Sequence, residues 1–171
     1  VAAGNKPWQE FLVEGVLQAN GAFEEVSFID PQGKERAKRS RLTATPELIN
    51  VGDLPYFRGA LSGERYRGTV SFTQNGPVMF IAAPIRVADT VIQVIAVRLN
   101  LSQIVRSVEL GRLGTFGYLF LLDEEGVLIA PRLRNGIPAG ANLYDVLHAK
   151  SLLAGNKGIF ETRRYASIFG S

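Results

Sequence analysis

The chain lacks cysteine altogether and has one histidine, one methionine and one tryptophan among its 171 residues. Without thiols there are no disulfide staples and no thiolate metal sites, so stability has to come from a packed core. The same absence fits either a reducing cytosol or a periplasm where stray thiols would be oxidised. The single histidine, His148, falls in an expected helix from Leu143 to Leu153, beside Ala149 and Lys150. It reads as a partly exposed helix residue, which leaves a serine nucleophile without a base and a metal without its set of ligands. Long apolar runs are missing too, since none approaches the ~20 residues that a bilayer crossing takes. Val1 to Gly4 carries no charged region leading into an apolar stretch, as a signal peptide would. If the parent protein spans a membrane, its anchors are expected outside this sequence.

A hydrophobic content of 46% is enough for a real core, and 18 glycines with 8 prolines punctuate the chain without making it low-complexity. The net charge is only +3, with a pI near 9.4. Much of it collects in Lys34, Arg36, Lys38, Arg39 and Arg41, a segment expected to be a solvated loop after a hairpin. No aromatic residue lies between Ile29 and Pro55 to stack on bases, so nucleic acid is not the expected partner. Attraction to anionic lipid or to a protein partner remains the alternative for this patch.

Trp8, Phe11, Leu12, Val16 and Ala19 recur at helical spacing with Gln9, Glu10, Glu14 and Gln18 between them, predicting an amphipathic helix that ends near Asn20-Gly21. Phe23 to Ile29 then alternates into the turn Asp30-Pro31-Gln32-Gly33, so strand-turn-strand is the expected arrangement. Asp53 is the expected N-cap of a short helix, with Pro55 in its first turn and Gly63 just beyond its end. Three strand-like runs follow, Tyr66 to Phe72, Val78 to Ile85 and Val91 to Leu101. The breaks at Gln74-Asn75-Gly76-Pro77 and Ala88-Asp89 predict an antiparallel sheet. A connecting helix with Leu101, Ile104, Val105 and Val108 on one face comes next.

The pattern then restarts, because Val26 to Gly33 superposes on Leu119 to Gly126, 93 residues downstream. Both copies are an apolar strand leading into an Asp-x-x-Gly turn, and a repeat of this size means two copies of one module. Each continues through a helix and a strand: Asp53 to Ser62 then Tyr66 to Phe72, and Asn142 to Leu153 then Gly158 to Tyr165. The second copy is expected to be incomplete, its strand Gly158 to Tyr165 left with an unpaired edge. The acidic pairs Glu24-Glu25 and Glu124-Glu125 flank hairpins and are expected to face solvent, and the glycines around Gly111, Gly114 and Gly117 suit a linker better than a phosphate loop. No catalytic constellation, metal site or cofactor site is expected.

The most specific pattern is Pro55-Tyr56-Phe57, Ala60-Leu61-Ser62-Gly63, Ala83-Pro84 and Leu99-Asn100-Leu101, followed by Gly114, Gly117-Tyr118-Leu119-Phe120-Leu121-Leu122-Asp123, Gly126 and Leu128-Ile129-Ala130. In this order the segments resemble the double Cache sensor domains of bacterial transmembrane receptors. The resemblance implies an α+β fold of two tandem PAS-like modules, each an antiparallel sheet flanked by helices, joined by a long N-terminal helix. It divides the chain into the end of that helix (1–22), a membrane-distal module (23–101), a connector (102–115) and a membrane-proximal module (116–171). It further implies a non-enzymatic sensor on the periplasmic or extracellular side, in a membrane-anchored parent with a histidine kinase as the favoured output and a homodimer possible. The alternative is a module with a collapsed pocket that serves protein interaction or dimerisation in a receptor such as a chemoreceptor.

The ligand is expected between the helix Asp53 to Ser62 and the sheet, against a concave apolar wall, with Tyr56, Phe57, Tyr66, Phe80 and Arg98 as pocket residues. Amino-acid-binding members of the family carry an arginine before the Pro-aromatic step and an aspartate on the last strand of the module. Here those positions are Leu54 and Arg98. The resemblance therefore points away from a free α-amino acid, and a small organic anion held by the planar fork of Arg98 is the preferred ligand.

Overall fold

A computed structural model describes residues 7–110, 112–113, 117–118, 120–123, 125–130 and 138–143. The expected helix around His148 and the strand Gly158 to Tyr165 lie outside the described residues. The chain divides into two compact units, Val1–Leu101 and Ser102–Ser171. No helix among the described residues is long and apolar enough to cross a membrane.

The first unit begins with helix α1 (Pro7–Ala19), strands β1 (Phe23–Ile29) and β2 (Glu35–Ser40) and helix α2 (Pro55–Leu61). Strands β3 (Tyr66–Arg67), β4 (Ser71–Thr73), β5 (Gly76–Val87) and β6 (Thr90–Asn100) complete it. The sheet runs β2-β1-β6-β5-β3, β4 pairs with β5, and every pairing is antiparallel. The run expected from Tyr66 to Phe72 is broken into β3 and β4. The first hairpin turn is narrower than expected too, since Gly76 and Pro77 already pair with Thr73 and Phe72. At the second turn Val87 pairs with Thr90 around the two residues Ala88-Asp89, and Ala88 takes the positive φ of +50° that such a tight hairpin demands.

Strand alternation gives this sheet two cores. Val26, Phe28 and Val97 pack under α1 against Val13 and Leu17, while Ile29, Ala82, Val94 and Ala96 pack under α2 against Tyr56, Phe57 and Ala60. Full burial of each larger aliphatic chain contributes about 1.5–3 kcal/mol. The stripe that α1 turns to the sheet differs from the one its hydrophobicity suggests. Gln9, Val13 and Leu17 are the buried positions, whereas Phe11 is 76% exposed and Trp8 48%. Helix α2 also starts differently. Leu54 occupies the N-cap with no side-chain hydrogen bond, and Asp53 instead forms an ion pair with Arg58.

The basic segment is not a solvated loop but strand β2 and its end. Arg36 pairs with Asp30 at 2.6 Å, Lys38 with Glu35 at 3.3 Å, and Arg39 with Glu10 and Glu14 of α1 at 3.0 and 3.4 Å. Arg41 donates to the carbonyl oxygens of Leu17 and Phe23, tying the last turn of α1 to the sheet. Arg39 and Arg41 hold α1 to β2 and its end, while Arg36 and Lys38 pair within the hairpin.

In the second unit, helix α3 (Ser102–Leu110) has no buried residue. Strands β7 (Arg112–Leu113) and β8 (Gly117–Tyr118) pair with each other, as do β9 (Leu121–Leu122) and β10 (Leu128–Ala130). Leu101, expected on the face of this helix, is instead buried before it starts. Around Asp123 the turn repeats that around Asp30 bond for bond. Asp30 Oδ1 accepts from the amides of Gln32 and Lys34, and Asp123 Oδ1 accepts from those of Glu125 and Val127. The amides of Gly33 and Gly126 donate to the Asp carbonyls, and both glycines take φ +81°. A side chain at Gly33 would also meet Gly52 Cα at 2.5 Å, so glycine is required there twice over.

Candidate functional site

A cavity of about 420 Å³ opens in the first unit between α2, the strand β3–β4 segment and the face of the sheet beneath α2. Its floor follows from strand alternation. Ser27 and Glu25 on β1, Ala96 and Arg98 on β6, Lys38 on β2 and Phe80 on β5 all point to this face. The small side chains of Ser27 and Ala96 stand opposite each other in the register and leave the depth that the larger neighbours enclose.

Tyr56 stacks on Phe80 with ring centroids 4.9 Å apart and an interplanar angle of 8°. Such offset pairs contribute about 0.5–1.5 kcal/mol beyond their burial and fix both rings in the wall. Tyr66 forms a second wall, close to two glycines. A Cβ on Gly59 of α2 would lie 2.7 Å from its Cδ2, and one on Gly68 would lie 3.2 Å from its Cε1. Leu54, Pro55 and Ile49 form the apolar mouth, with Leu54 and Ile49 substantially exposed.

Four of the five residues expected from sequence therefore meet at the cavity: Tyr56, Tyr66, Phe80 and Arg98. Phe57 does not, because one position further round α2 turns it into the core, where it is 3% exposed. The lining is more polar than expected. Glu35 is 2% exposed and accepts from the Ile49 amide and, loosely, from Lys38. Glu25 accepts from the Ser40 hydroxyl with one oxygen and faces Arg98 Nη1 at 4.0 Å with the other. Burial, reinforced by Glu35 and then Glu25, pushes the Tyr56 phenol up from 10.0 to about 12.

Glu24 corrects the expectation that the Glu24-Glu25 pair faces solvent. Glu24 is 7% exposed, lies 3.1 Å from Arg98 Nε and accepts from the Asn100 side-chain amide at 2.5 Å. Sequence reasoning missed Glu24 and Glu25 because it turned that pair to solvent, and Glu35 and Lys38 because it read the charged run after the turn as a solvated loop. Had β2 been read as a strand, its side-chain alternation would have put Lys38 on the face of Ser27.

Thus the first unit combines a long antiparallel sheet, a short helix laid across it and a cavity between them. This is an α+β arrangement in which every pairing of the sheet is antiparallel. No family model matches the sequence, and no curated protein matches it either. Solved structures do match in fold. The ligand-binding domain of the Campylobacter jejuni chemoreceptor Tlp3, solved with 4-methylisoleucine, aligns over 84% of this chain and 57% of its own length, at 17% identity and a TM-score of 0.63. The extracellular domain of a protein assigned as a histidine kinase, mmHK1S-Z2, aligns over 85% and 65%, at 11% identity and 0.66. The ligand-binding domain of the Pseudomonas fluorescens chemoreceptor CtaA with L-leucine aligns over 82% and 59%, at 17% identity and 0.57. The chain spans between 57% and 66% of the length of the similar solved chains.

Proposed function

We propose that this chain is the extracytoplasmic ligand-sensing part of a membrane-anchored bacterial receptor, built from tandem Cache-like modules, with a histidine kinase as its output. The observation that carries the reading is the cavity itself: an aromatic wall of Tyr56, Phe80 and Tyr66 over a floor holding the guanidinium of Arg98. A cavity of about 420 Å³ suits a small molecule and speaks against the collapsed-pocket alternative. The sensor domains of chemoreceptors and assigned histidine kinases share the fold, which agrees with a sensing role. The duplicated Asp-x-x-Gly turn supports two copies of one module, 23–101 and 116–171.

The proposed ligand is a small organic anion. The position before Pro55 is Leu54, an apolar group at the cavity mouth, and Arg98 presents its cation from the floor. Titrating acetate, succinate, citrate and leucine by calorimetry tests this. At least one carboxylate is expected to bind more tightly than leucine, and Arg98→Ala should weaken it by about 1.5–3 kcal/mol, as loss of a charged hydrogen-bond partner does. Unchanged carboxylate affinity in Arg98→Ala, or tight binding of leucine by the native protein, would overturn the anion reading.

A further inference from the structure

We infer that Glu24 is the positioning residue for Arg98, holding the guanidinium at the cavity by charge alone and so setting how strongly the cavity takes an anion. The inference rests on the reading of Arg98 as the group that meets the ligand. It begins in the register of β1. Phe23 pairs with Leu99 and Glu25 with Arg98, so Glu24 is the extra residue of a β-bulge. In a regular strand two successive side chains point to opposite faces. Here both carboxylates reach Arg98, Glu24 Oε2 at 3.1 Å from Nε and Glu25 Oε2 at 4.0 Å from Nη1.

Glu24 is itself anchored. Its Oε1 accepts from Asn100 Nδ2, its carbonyl oxygen accepts from the Arg41 amide, and the Asn100 amide donates to the adjacent Ala22 carbonyl. Its other oxygen is the informative one. Glu24 Oε2 and Arg98 Nε are both buried, and despite their 3.1 Å separation neither has an aligned hydrogen bond. By contrast, Arg39 makes a true hydrogen bond to Glu10 at 3.0 Å. Arg98 is therefore retained because removing it would strand a buried carboxylate, but no directional bond locks its fork. An anion entering the cavity competes with Glu24 for the same guanidinium. It follows that Glu24 opposes ligand binding, which a merely structural residue would not do.

The test is Glu24→Gln, which keeps the side-chain length and an oxygen for Asn100 while removing the charge. Affinity for whichever of acetate, succinate and citrate binds the native protein is expected to rise about five- to tenfold, because a competing carboxylate has gone. Glu24→Asp, which restores the charge, should bring affinity back toward native. In ¹⁵N-labelled protein without ligand, the Arg98 Nε–H should exchange with solvent about tenfold faster in Glu24→Gln, as expected when the carboxylate charge 3.1 Å from it is lost. Unchanged or weaker carboxylate affinity in folded Glu24→Gln, or unchanged Nε–H exchange, would overturn the inference. If none of the three carboxylates binds the native protein, the anion reading falls and the exchange rate alone decides the role of Glu24. If Arg98→Ala leaves carboxylate affinity unchanged, both fall.

Discussion

Tyr56 ties the cavity to a measurable titration. Its phenol is raised to about 12 by burial and by the nearby carboxylates Glu35 and Glu25, against about 10 in an unfolded chain. The folded state then holds the proton more tightly than the unfolded state. This stabilising contribution is fully present below pH 10 and is lost as pH climbs through the folded value near 12. One tyrosine should therefore titrate late in absorbance at about 295 nm, and Tyr56→Phe should remove that late phase and flatten the alkaline loss of stability. A Tyr56 that titrates with the other tyrosines would show that the ring is more open than its stacking on Phe80 implies. At this scale the sequence was only half legible. The Pro-aromatic step identified Tyr56, but the neighbouring Phe57 turns into the core, a difference of one helical position that composition does not record.

Among the elements, α2 is the one whose local sequence conflicts most with ordinary helix preference. Gly59 stands inside it, and replacing an interior helix glycine by alanine usually stabilises by about 0.8–1 kcal/mol. Here the added Cβ would lie 2.7 Å from Cδ2 of the Tyr66 ring. Overpacking of this kind costs about 1–3 kcal/mol, so Gly59→Ala should lower stability in urea and weaken ligand binding together. A net gain in stability would mean that Tyr66 can leave its slot. The strands of the sheet were readable from alternation and turn residues, with β5 and β6 the clearest. Strand β2 was legible only as the arm expected after the Asp30 turn, because the charges of Glu35 to Ser40 look like a solvated run; its pairing with β1 and the ion pairs of Arg39 with Glu10 and Glu14 on α1 account for its place in the sheet. The buried stripe of α1 was misjudged for the same reason, since tertiary contact chose Val13 and Leu17 over the more hydrophobic Phe11.

On the scale of the whole molecule, the duplicated turn extends beyond the segment in which the sequence reveals it. Asn50 Nδ2 donates to the Gln32 carbonyl, and Asn142 Nδ2 to that of Glu125. The amides of Val51 and Leu143 donate to Gly33 and Gly126, and each Asn bridges to the residue after the turn glycine, Lys34 or Val127. Asn50 and Asn142 share a sequence signal that the turn alone does not show, a proline four residues before each, Pro46 and Pro138. Each unit has its own buried cluster, so calorimetry should resolve two transitions. Trp8, the only tryptophan, belongs to the first unit and its fluorescence should follow one of them. A carboxylate at a hundredfold above its dissociation constant should stabilise that transition by about 2.7 kcal/mol and leave the other unmoved. Movement of both would mean that the units unfold as one.

The bulge at Glu24 makes chain length itself a variable of recognition. A sequence one residue shorter at this point would run β1 straight into its pairing with β6, keep Ser27, Ala96 and every later position in place, and offer Arg98 a single carboxylate instead of two. A gap of one residue in a seemingly ordinary strand would then separate a guanidinium flanked by two carboxylates from one that faces Glu25 alone.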